Sequence, residues 1–203
     1  MDIIIVTLFS YLSGSIPFGL ILTKIFRDQD IRNIGSGNIG ATNVLRTGSR
    51  FLATLTLVLD ILKGYIPVII AQQYFPGLIQ LSCLLAFLGH VFPVWLKFKG
   101  GKGVATYLGI LLALSIQLGF LFMFTWLAVS LIFKYSSLSS MFSSLTVFIV
   151  TLIKDTALLS IDSNTYIEDE IKLILFIFFI LIMFTHRRNI SNLKNKTEHK
   201  IKI

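Results

Sequence analysis

Four short segments of the chain combine glycine, hydroxyl, amide and basic side chains, the groups that bind phosphate. The first, NIGSGNIGATNVLRTGSR at residues 33–50, places four glycines among polar side chains. Glycine lets backbone N–H groups turn toward an anion, and arginine binds phosphate bidentately. The segment therefore predicts a phosphate cradle, although a flexible loop with arginines on the cytoplasmic side is the alternative. Its candidate donors are Ser36, Asn38, Thr42, Asn43 and Thr47, with Arg32, Arg46 and Arg50.

The same segment contains Gly35-Ser-Gly37-Asn-Ile-Gly40, which matches the G-x-G-x-x-G pattern of dinucleotide-binding domains. That pattern binds a pyrophosphate only between a strand and a helix of a βαβ unit. Here an apolar helix that ends near residue 26 and the charged RDQDIR precede it. We therefore predict no nicotinamide or flavin site.

The second segment, KFKGGKGVATY at residues 97–107, lies just before a predicted helix. Gly100, Gly101 and Gly103 surround Lys102, and the start of a helix attracts anions. A Walker A loop would continue from the lysine with Ser or Thr to bind magnesium beside ATP, whereas Gly103 follows here. The segment predicts a second anion site, without ATP.

The third and fourth segments are KYSSLSS at residues 134–140 and HRRN at residues 186–189. Serines in a turn and basic residues at a membrane interface are both common, so neither segment indicates a function alone. The segment HRRN becomes a candidate for the site because it is predicted on the same side of the membrane as the glycine-rich segments.

Two charged residues, Asp60 and Lys63, lie three positions apart inside an apolar run. A charge at the centre of a spanning helix costs about 2.5–3.5 kcal/mol, and an acid–base pair on one face offsets part of this. We expect the pair to pack or position the chain, with direct chemistry as the alternative, and we expect His90 to be structural. The three histidines are scattered and Cys83 is the one cysteine, so no metal site is expected.

Composition indicates which elements position these segments. The 203-residue chain is 55% apolar and 14% charged, with a mean hydropathy of +0.82, far more apolar than a soluble domain. We predict an all-α, polytopic membrane protein. Its seven predicted spans cover residues of about 3–26, 51–73, 78–97, 104–118, 119–133, 138–153 and 170–186.

The region 104–133 has two interpretations: two short helices divided at Gln117-Leu-Gly119, or one long tilted helix. Charge favours the first, because Lys and Arg follow the first, third, fifth and last spans and mark the cytoplasmic side. The other loops, including the acidic residues 154–170, are poor in basic residues. Seven spans place the N-terminus outside and the C-terminus in the cytoplasm.

Five motifs carry a family resemblance: RNIGSGNIGATNVLRTGS at 32–49, LDILKG at 59–64, GHVFPVWLKFKGGKGVAT at 89–106, YSSLSS at 135–140 and HRRNI at 186–190. In order and spacing they resemble the bacterial PlsY family of membrane glycerol-3-phosphate acyltransferases. Because the resemblance covers essentially the whole chain, we expect one acyltransferase domain over residues 1–203. It implies a seven-helix protein of the bacterial cell membrane with its active site facing the cytoplasm.

The resemblance implies transfer of a fatty acyl group from acyl phosphate to the 1-hydroxyl of sn-glycerol 3-phosphate, giving lysophosphatidic acid and inorganic phosphate. It implies no cofactor, no nucleic-acid partner, contact with membrane lipid, and a functional link to the enzyme that makes acyl phosphate. By resemblance the catalytic residues are Ser36, Arg46, Lys102 and His186. The implied phosphate-binding residues are Ser36, Asn43, Arg46, Gly100, Gly101, Lys102, Gly103, Ser139 and Asn189.

Two alternatives stay open. The general base is either His186, since a histidine with an unperturbed pKa of about 6.5 suits proton transfer near neutrality, or the phosphate of glycerol 3-phosphate. The alternative function is transport of a phosphorylated metabolite, although transporters usually show internal repeats and sites near the midplane.

The sequence departs from the family pattern at its end, from Arg188 onward. Arg188, Asn192 and Lys196 stand where the family usually has an acid, an arginine and a glycine, whereas Glu198 is retained. We expect this departure to affect the packing of the tail more than the chemistry.

Overall fold

The computed structural model describes the backbone of residues 1–158 and 169–201, and the side chains of residues 1–153 and 171–201. Every regular element in these ranges is helical, as predicted. The α-helices are α1 (Asp2–Ser15), α2 (Phe18–Arg27), α3 (Ala41–Val44), α4 (Arg50–Tyr74), α5 (Ile79–Val91), α6 (Val104–Leu114), α7 (Ile116–Phe133), α8 (Ser136–Leu158), α9 (Asp169–Thr185) and α10 (Arg187–Lys194). The chain divides into two compact units, residues 1–116 and 117–203.

Five stretches of described helix are long and apolar enough to cross a membrane. They are Asp2–Arg27, Arg50–Tyr74, Pro76–Leu96, Ile116–Phe133 and Ser136–Ile153. The pair α9 and α10, bent by 56°, raises the number to six if it counts as one span. Helix α6 is apolar but has 11 residues, roughly 16 Å against a hydrocarbon core of roughly 30 Å. The architecture is that of a membrane protein with five to six apolar spans.

Two predicted boundaries move for backbone reasons. The first predicted span, residues 3–26, is broken after Ile16 (φ −64°, ψ 117°), because a residue before proline avoids the helical region and Pro17 has no N–H to donate. Residues 104–133 form two helices, but the break lies at Ser115, whose backbone is extended, and not at the predicted Gln117-Leu-Gly119.

The ends of two other predicted spans also differ. The third, residues 78–97, is α-helical only to Val91 and continues as a turn of 3-10 helix over Val94–Leu96. The last, residues 170–186, is followed by the eight-residue helix α10, which was not predicted. The predicted acidic loop of residues 154–170 lies mostly outside the described residues.

Glycines set the distance between α4 and α6 in the unit of residues 1–116. A Cβ at Gly109 would overlap the carbonyl oxygen of Ile61, and a Cβ at Gly64 would overlap that of Thr106. The two glycines therefore let each helix approach the other's backbone. Such contacts hold helices together in lipid, where burying apolar surface against a neighbour gains little over contact with acyl chains.

Helices α1 and α5 pack in the same way. A Cβ at Gly14 or at Gly89 would overlap a backbone carbonyl of the opposite helix. Nearby, the buried hydroxyls of Ser10 and Ser82 form a hydrogen bond of 2.9 Å across the contact. Small residues with a polar bridge thus replace large apolar knobs between these helices.

The unit of residues 117–203 is built around α8 and α9, which pack against each other. Val147 of α8 and Leu175, Phe178 and Ile182 of α9 are fully buried. The hydroxyls of Ser140, Ser143, Ser144 and Thr151 donate to carbonyls of their own helix α8, and that of Ser139 donates to the carbonyl of Tyr135, the residue just before that helix. These small side chains satisfy their own polar groups, so a polar helix can be buried in this unit.

We expect Gly109→Ala to lower the stability of the protein by about 1–3 kcal/mol, because the added methyl group forces α4 and α6 apart. Thermal unfolding in detergent measures this loss. Gly77→Ala is the matched control, since a Cβ there has no heavy atom within 4 Å. Equal melting temperatures for the two variants would show that close packing at Gly109 is unimportant.

Candidate active site

The first glycine-rich segment is organised by the buried side chain of Asn43, in the short helix α3. Its Oδ1 accepts a hydrogen bond of 3.0 Å from the backbone N–H of Ser36. Its Nδ2 donates to three backbone carbonyls, those of Ile31 (3.1 Å), Ile34 (2.8 Å) and Asn38 (2.8 Å). The amide was predicted to bind phosphate, but in this structure it holds the loop's own backbone together.

Ser36 and Arg46 are exposed on this loop and meet at Asn43. Arg46 Nη1 lies 3.5 Å from the Oδ1 atom that also accepts from Ser36 N–H. Gly35 has a φ of +55°, and a Cβ there would lie 2.7 Å from Arg46 Nη1. The left-handed backbone favours glycine here, and a Cβ would also crowd the buried Oδ1 of Asn43 at 2.6 Å. The loop therefore brings the backbone of Ser36 and the guanidinium of Arg46 to the same oxygen atom.

Arg32 has a different partner. Its guanidinium forms a salt bridge with Asp30, with Nη2 2.5 Å from Oδ2. This hydrogen-bonded pair lowers the pKa of the Asp30 carboxyl to about 2. Of the three arginines predicted to flank a phosphate, this one is neutralised by its own loop.

The second glycine-rich segment folds back onto the end of α5. The N–H groups of Gly100 and Gly101 donate to the carbonyls of Val91 (3.0 Å) and His90 (3.1 Å). These are carbonyls that the end of a helix would otherwise leave unsatisfied. Lys102 is half-buried, and Gly103 (φ +80°) leads directly into α6. The lysine is thus held one residue away from a helix start, where an anion is favoured.

The charged pair predicted from the sequence lies beneath this segment. Lys63 Nζ is 2.7 Å from Asp60 Oδ1, and both side chains are buried. Lys63 Nζ also donates to the carbonyl of Ile16 (2.7 Å), at the break between α1 and α2. Asp60 Oδ1 lies 3.9 Å from His90 Nδ1. The structure therefore brings Asp60, Lys63 and His90 together in one buried polar cluster.

In the unit of residues 117–203, His186 is buried at the junction of α9 and α10. Its Nδ1 lies 2.8 Å from the carbonyl oxygen of Ile182. A carbonyl only accepts hydrogen bonds, so the proton of the neutral ring is on Nδ1 and the lone pair is on Nε2. This tautomer is the one that a general base acting through Nε2 requires.

Asn189 and Ser139, the other predicted residues of this unit, are also buried. Asn189 Nδ2 donates to Glu198 Oε1 (2.6 Å), which accepts from Ser137 Oγ as well (2.7 Å). Ser139 Oγ donates to the carbonyl of Tyr135, just before the start of α8 (2.9 Å). The tail after Asn189 therefore folds back onto this unit through Glu198.

Sequence reasoning missed three groups that hold the site. Glu198 was noted only as a retained family residue, and its bonds to Ser137 and Asn189 were not predicted. Thr106, whose Oγ1 lies 3.2 Å from His90 Nδ1, gave no signal. The Ile16 carbonyl could have been anticipated, because a helix broken before Pro17 leaves acceptors unsatisfied.

The predicted residues thus form three groups. Ser36, Asn43 and Arg46 lie together, and Gly100, Gly101, Lys102 and Gly103 lie with His90, Asp60 and Lys63. Ser139, His186 and Asn189 belong to the unit of residues 117–203. In the described part of the chain, no three His, Cys, Asp or Glu side chains are arranged to hold a metal ion.

Known proteins match the chain over nearly its full length. The sequence profile of the family described as glycerol-3-phosphate acyltransferase matches residues 4–196. A glycerol-3-phosphate acyltransferase of Pelagibacter ubique is 52% identical over 203 residues, covering 100% of both chains. That of Mesorhizobium japonicum is 47% identical over 199 residues, covering 98% of this chain and 96% of the relative.

Two solved structures share the fold. One is PlsY (YgiH), an integral membrane glycerol 3-phosphate acyltransferase, in its glycerol 3-phosphate form, with a TM-score of 0.89 and 34% identity. The match covers 100% of this chain and 96% of the PlsY chain. The other is PlsY in its lysophosphatidic acid form, with a TM-score of 0.86 and 32% identity. That match covers 98% of this chain and 95% of the PlsY chain. The family resemblance of the motifs is confirmed, and the chain belongs to the glycerol-3-phosphate acyltransferase family.

Proposed function

We propose that this chain transfers a fatty acyl group from acyl phosphate to the 1-hydroxyl of sn-glycerol 3-phosphate, releasing lysophosphatidic acid and inorganic phosphate. The observation that carries the proposal is the full-length match to an acyltransferase solved in its glycerol 3-phosphate form. The residues support it, because the two glycine-rich segments hold cationic and hydroxyl donors in ordered loops suited to phosphate. Both substrates carry phosphate, and one carries a long acyl tail that lipid can accommodate.

Acyl phosphate is a mixed anhydride whose leaving group is phosphate, so the reaction needs no cofactor. The 1-hydroxyl oxygen attacks the acyl carbonyl carbon, and the bond from that carbon to the phosphate oxygen breaks with its electron pair leaving on phosphate. Holding the two substrates in reacting geometry supplies roughly 7–11 kcal/mol of the barrier. No side chain has to form a covalent intermediate.

We assign charge stabilisation to the exposed Arg46 and Ser36 of the first loop, and to Lys102 of the second. The N–H groups of Gly100 and Gly101 are already bonded to the end of α5, so these glycines contribute the shape of the loop. Asn43 positions Ser36 and Arg46, since its amide binds their loop. Gly100, Gly101 and Gly103 shape the second loop around the lysine. Asn189 and Ser139 support the unit that carries His186.

The hydroxyl proton needs an acceptor, for which we propose Nε2 of His186. The bond between His186 Nδ1 and the Ile182 carbonyl fixes the required tautomer. The phosphate of glycerol 3-phosphate is the competing acceptor. It would take the proton from its own neighbouring hydroxyl.

We propose that the two units act as one acyltransferase domain of seven spans in the bacterial plasma membrane, with α6 as the short extra span. The basic segments then face the cytoplasm, as does the active site, with the N-terminus outside and the C-terminus inside. Membrane lipid surrounds the apolar helices, and an enzyme that makes acyl phosphate supplies the donor.

The first test uses purified protein in detergent with palmitoyl phosphate. We expect phosphate release that depends on glycerol 3-phosphate, with lysophosphatidic acid as product, and we expect Lys102→Ala to lower the rate about 10²–10³-fold. Lys99→Ala is the control, because it removes an exposed charge from the same segment. Folded protein that uses only a coenzyme A or carrier-protein thioester would refute the proposed donor. Transport of glycerol 3-phosphate without acylation would favour a transporter.

A second prediction separates the two proton acceptors. If His186 is the base, His186→Gln loses about 10²–10⁴-fold in kcat, which is the usual contribution of general base catalysis. His199→Gln, the same change at an exposed tail position, should leave kcat unchanged. A His186→Gln variant that retains most of its turnover would assign the proton to the substrate phosphate.

The proposed orientation has its own test. Lys97→Cys in a Cys83→Ser background places one exposed thiol in the second glycine-rich segment. We expect a membrane-impermeant maleimide to label it in inverted membrane vesicles and not in intact cells. Labelling in intact cells would place this segment outside and reverse the topology.

A further inference from the structure

We propose that His90 is a positioning residue of the acyltransferase. Its ring holds the loop of residues 100–103 in the conformation that binds phosphate. The inference deepens the proposed function and rests on it, since the role of the loop comes from there. His90 is not itself required to touch substrate. It acts through the backbone on either side of Lys102.

The first observation is the contact between the ring and the loop. A Cβ at Gly101 would overlap His90 Nε2, and the three nearest heavy atoms it would meet all belong to that ring. Gly101 does not have a positive φ, so its backbone alone does not require glycine. The His90 ring therefore leaves no room for a side chain at position 101, and only glycine fits there.

The second observation is that the ring also reaches the other side of Lys102. His90 Nδ1 is 3.2 Å from Oγ1 of Thr106, in the first turn of α6. Together with the bond from Gly101 N–H to the His90 carbonyl, this ties both flanks of Lys102 to one residue. Fixing the backbone on both sides of Lys102 fixes the point from which its side chain extends.

The third observation concerns what holds the ring. Asp60 Oδ1 lies 3.9 Å from Nδ1, and Lys63 pairs with that carboxylate at 2.7 Å. Lys63 is fixed in turn by the Ile16 carbonyl. His90, Thr106, Asp60 and Lys63 are all buried, so water does not compete for these contacts. The ring is held by polar groups as well as by packing.

The loop joins the short helices α5 and α6, of 13 and 11 residues. Its glycine N–H groups bond to the carbonyls of Val91 and His90 at the end of α5. His90 therefore supports the loop with its carbonyl as well as with its ring.

The test is a double-mutant cycle of His90→Asn, Gly101→Ala and the combined variant. Asn keeps a nitrogen or oxygen near the position of Nδ1 for Thr106, but it removes the ring atoms that occupy the Cβ position of residue 101. We expect Gly101→Ala to lower kcat/KM more than tenfold in the wild-type background and less than threefold in the His90→Asn background. Equal losses in both backgrounds would overturn the inference.

Two further measurements exclude a general folding defect. We expect the KM for at least one phosphate-bearing substrate, palmitoyl phosphate or glycerol 3-phosphate, to rise in Gly101→Ala, whereas partial unfolding would lower kcat and leave both KM values unchanged. We also expect His90→Asn to retain more activity than His90→Leu, since only Asn can bond to Thr106. Unchanged KM values, or equal activity of Asn and Leu, would show that His90 only fills space.

A failure of the proposed function can be distinguished from a failure of the positioning role. It would show as wild-type protein that does not turn over palmitoyl phosphate. The cycle is then measured as the rise in melting temperature that glycerol 3-phosphate produces in the four proteins. We expect the rise to shrink in Gly101→Ala and to recover in the double variant. No rise in the wild-type protein would overturn the positioning role together with the proposed function.

Discussion

The ion pair between Asp60 and Lys63 is the interaction on which the unit of residues 1–116 depends. Neither charge would be stable alone in the middle of a spanning helix. Their pairing lets Lys63 bond to the Ile16 carbonyl where α1 breaks, and lets the Asp60 carboxylate lie beside His90. One buried pair thus connects three elements, α1, α4 and α5, and the last of these carries the loop around Lys102. Losing one partner would leave a buried charge, which typically costs about 3–5 kcal/mol.

The placement of the candidate active-site residues reflects the different surroundings that the two substrates need. An acyl tail belongs in lipid, whereas phosphate belongs in water or beside positive charge. In the proposed function, the chain meets both requirements by placing Arg46 and Lys102 in glycine-rich segments next to apolar helices. The donor that we propose, acyl phosphate, is already activated as an anhydride, so the protein would contribute position and charge and need no nucleophile of its own.

Sequence reasoning about the site rests on residue type alone. Glycine beside Lys102 or Arg46 indicates anion binding wherever the loop runs, and apolar runs indicate spanning helices. The hydrogen-bond partners were not predictable, because they depend on the path of the loop. Asn43 was predicted to bind phosphate, yet its amide meets the carbonyls of Ile31, Ile34 and Asn38. The break before Pro17 was readable, whereas the extended Ser115 and the helix α10 had no local signal of comparable strength.

The most direct test of catalysis by position and charge is an exchange measurement without the acceptor. Purified protein is incubated with palmitoyl phosphate and labelled inorganic phosphate, and no glycerol 3-phosphate is added. Direct transfer predicts that no label enters palmitoyl phosphate, because the acyl group leaves its phosphate only when the acceptor hydroxyl attacks. Label that enters palmitoyl phosphate at a rate near turnover would show a covalent acyl-enzyme intermediate and contradict direct transfer.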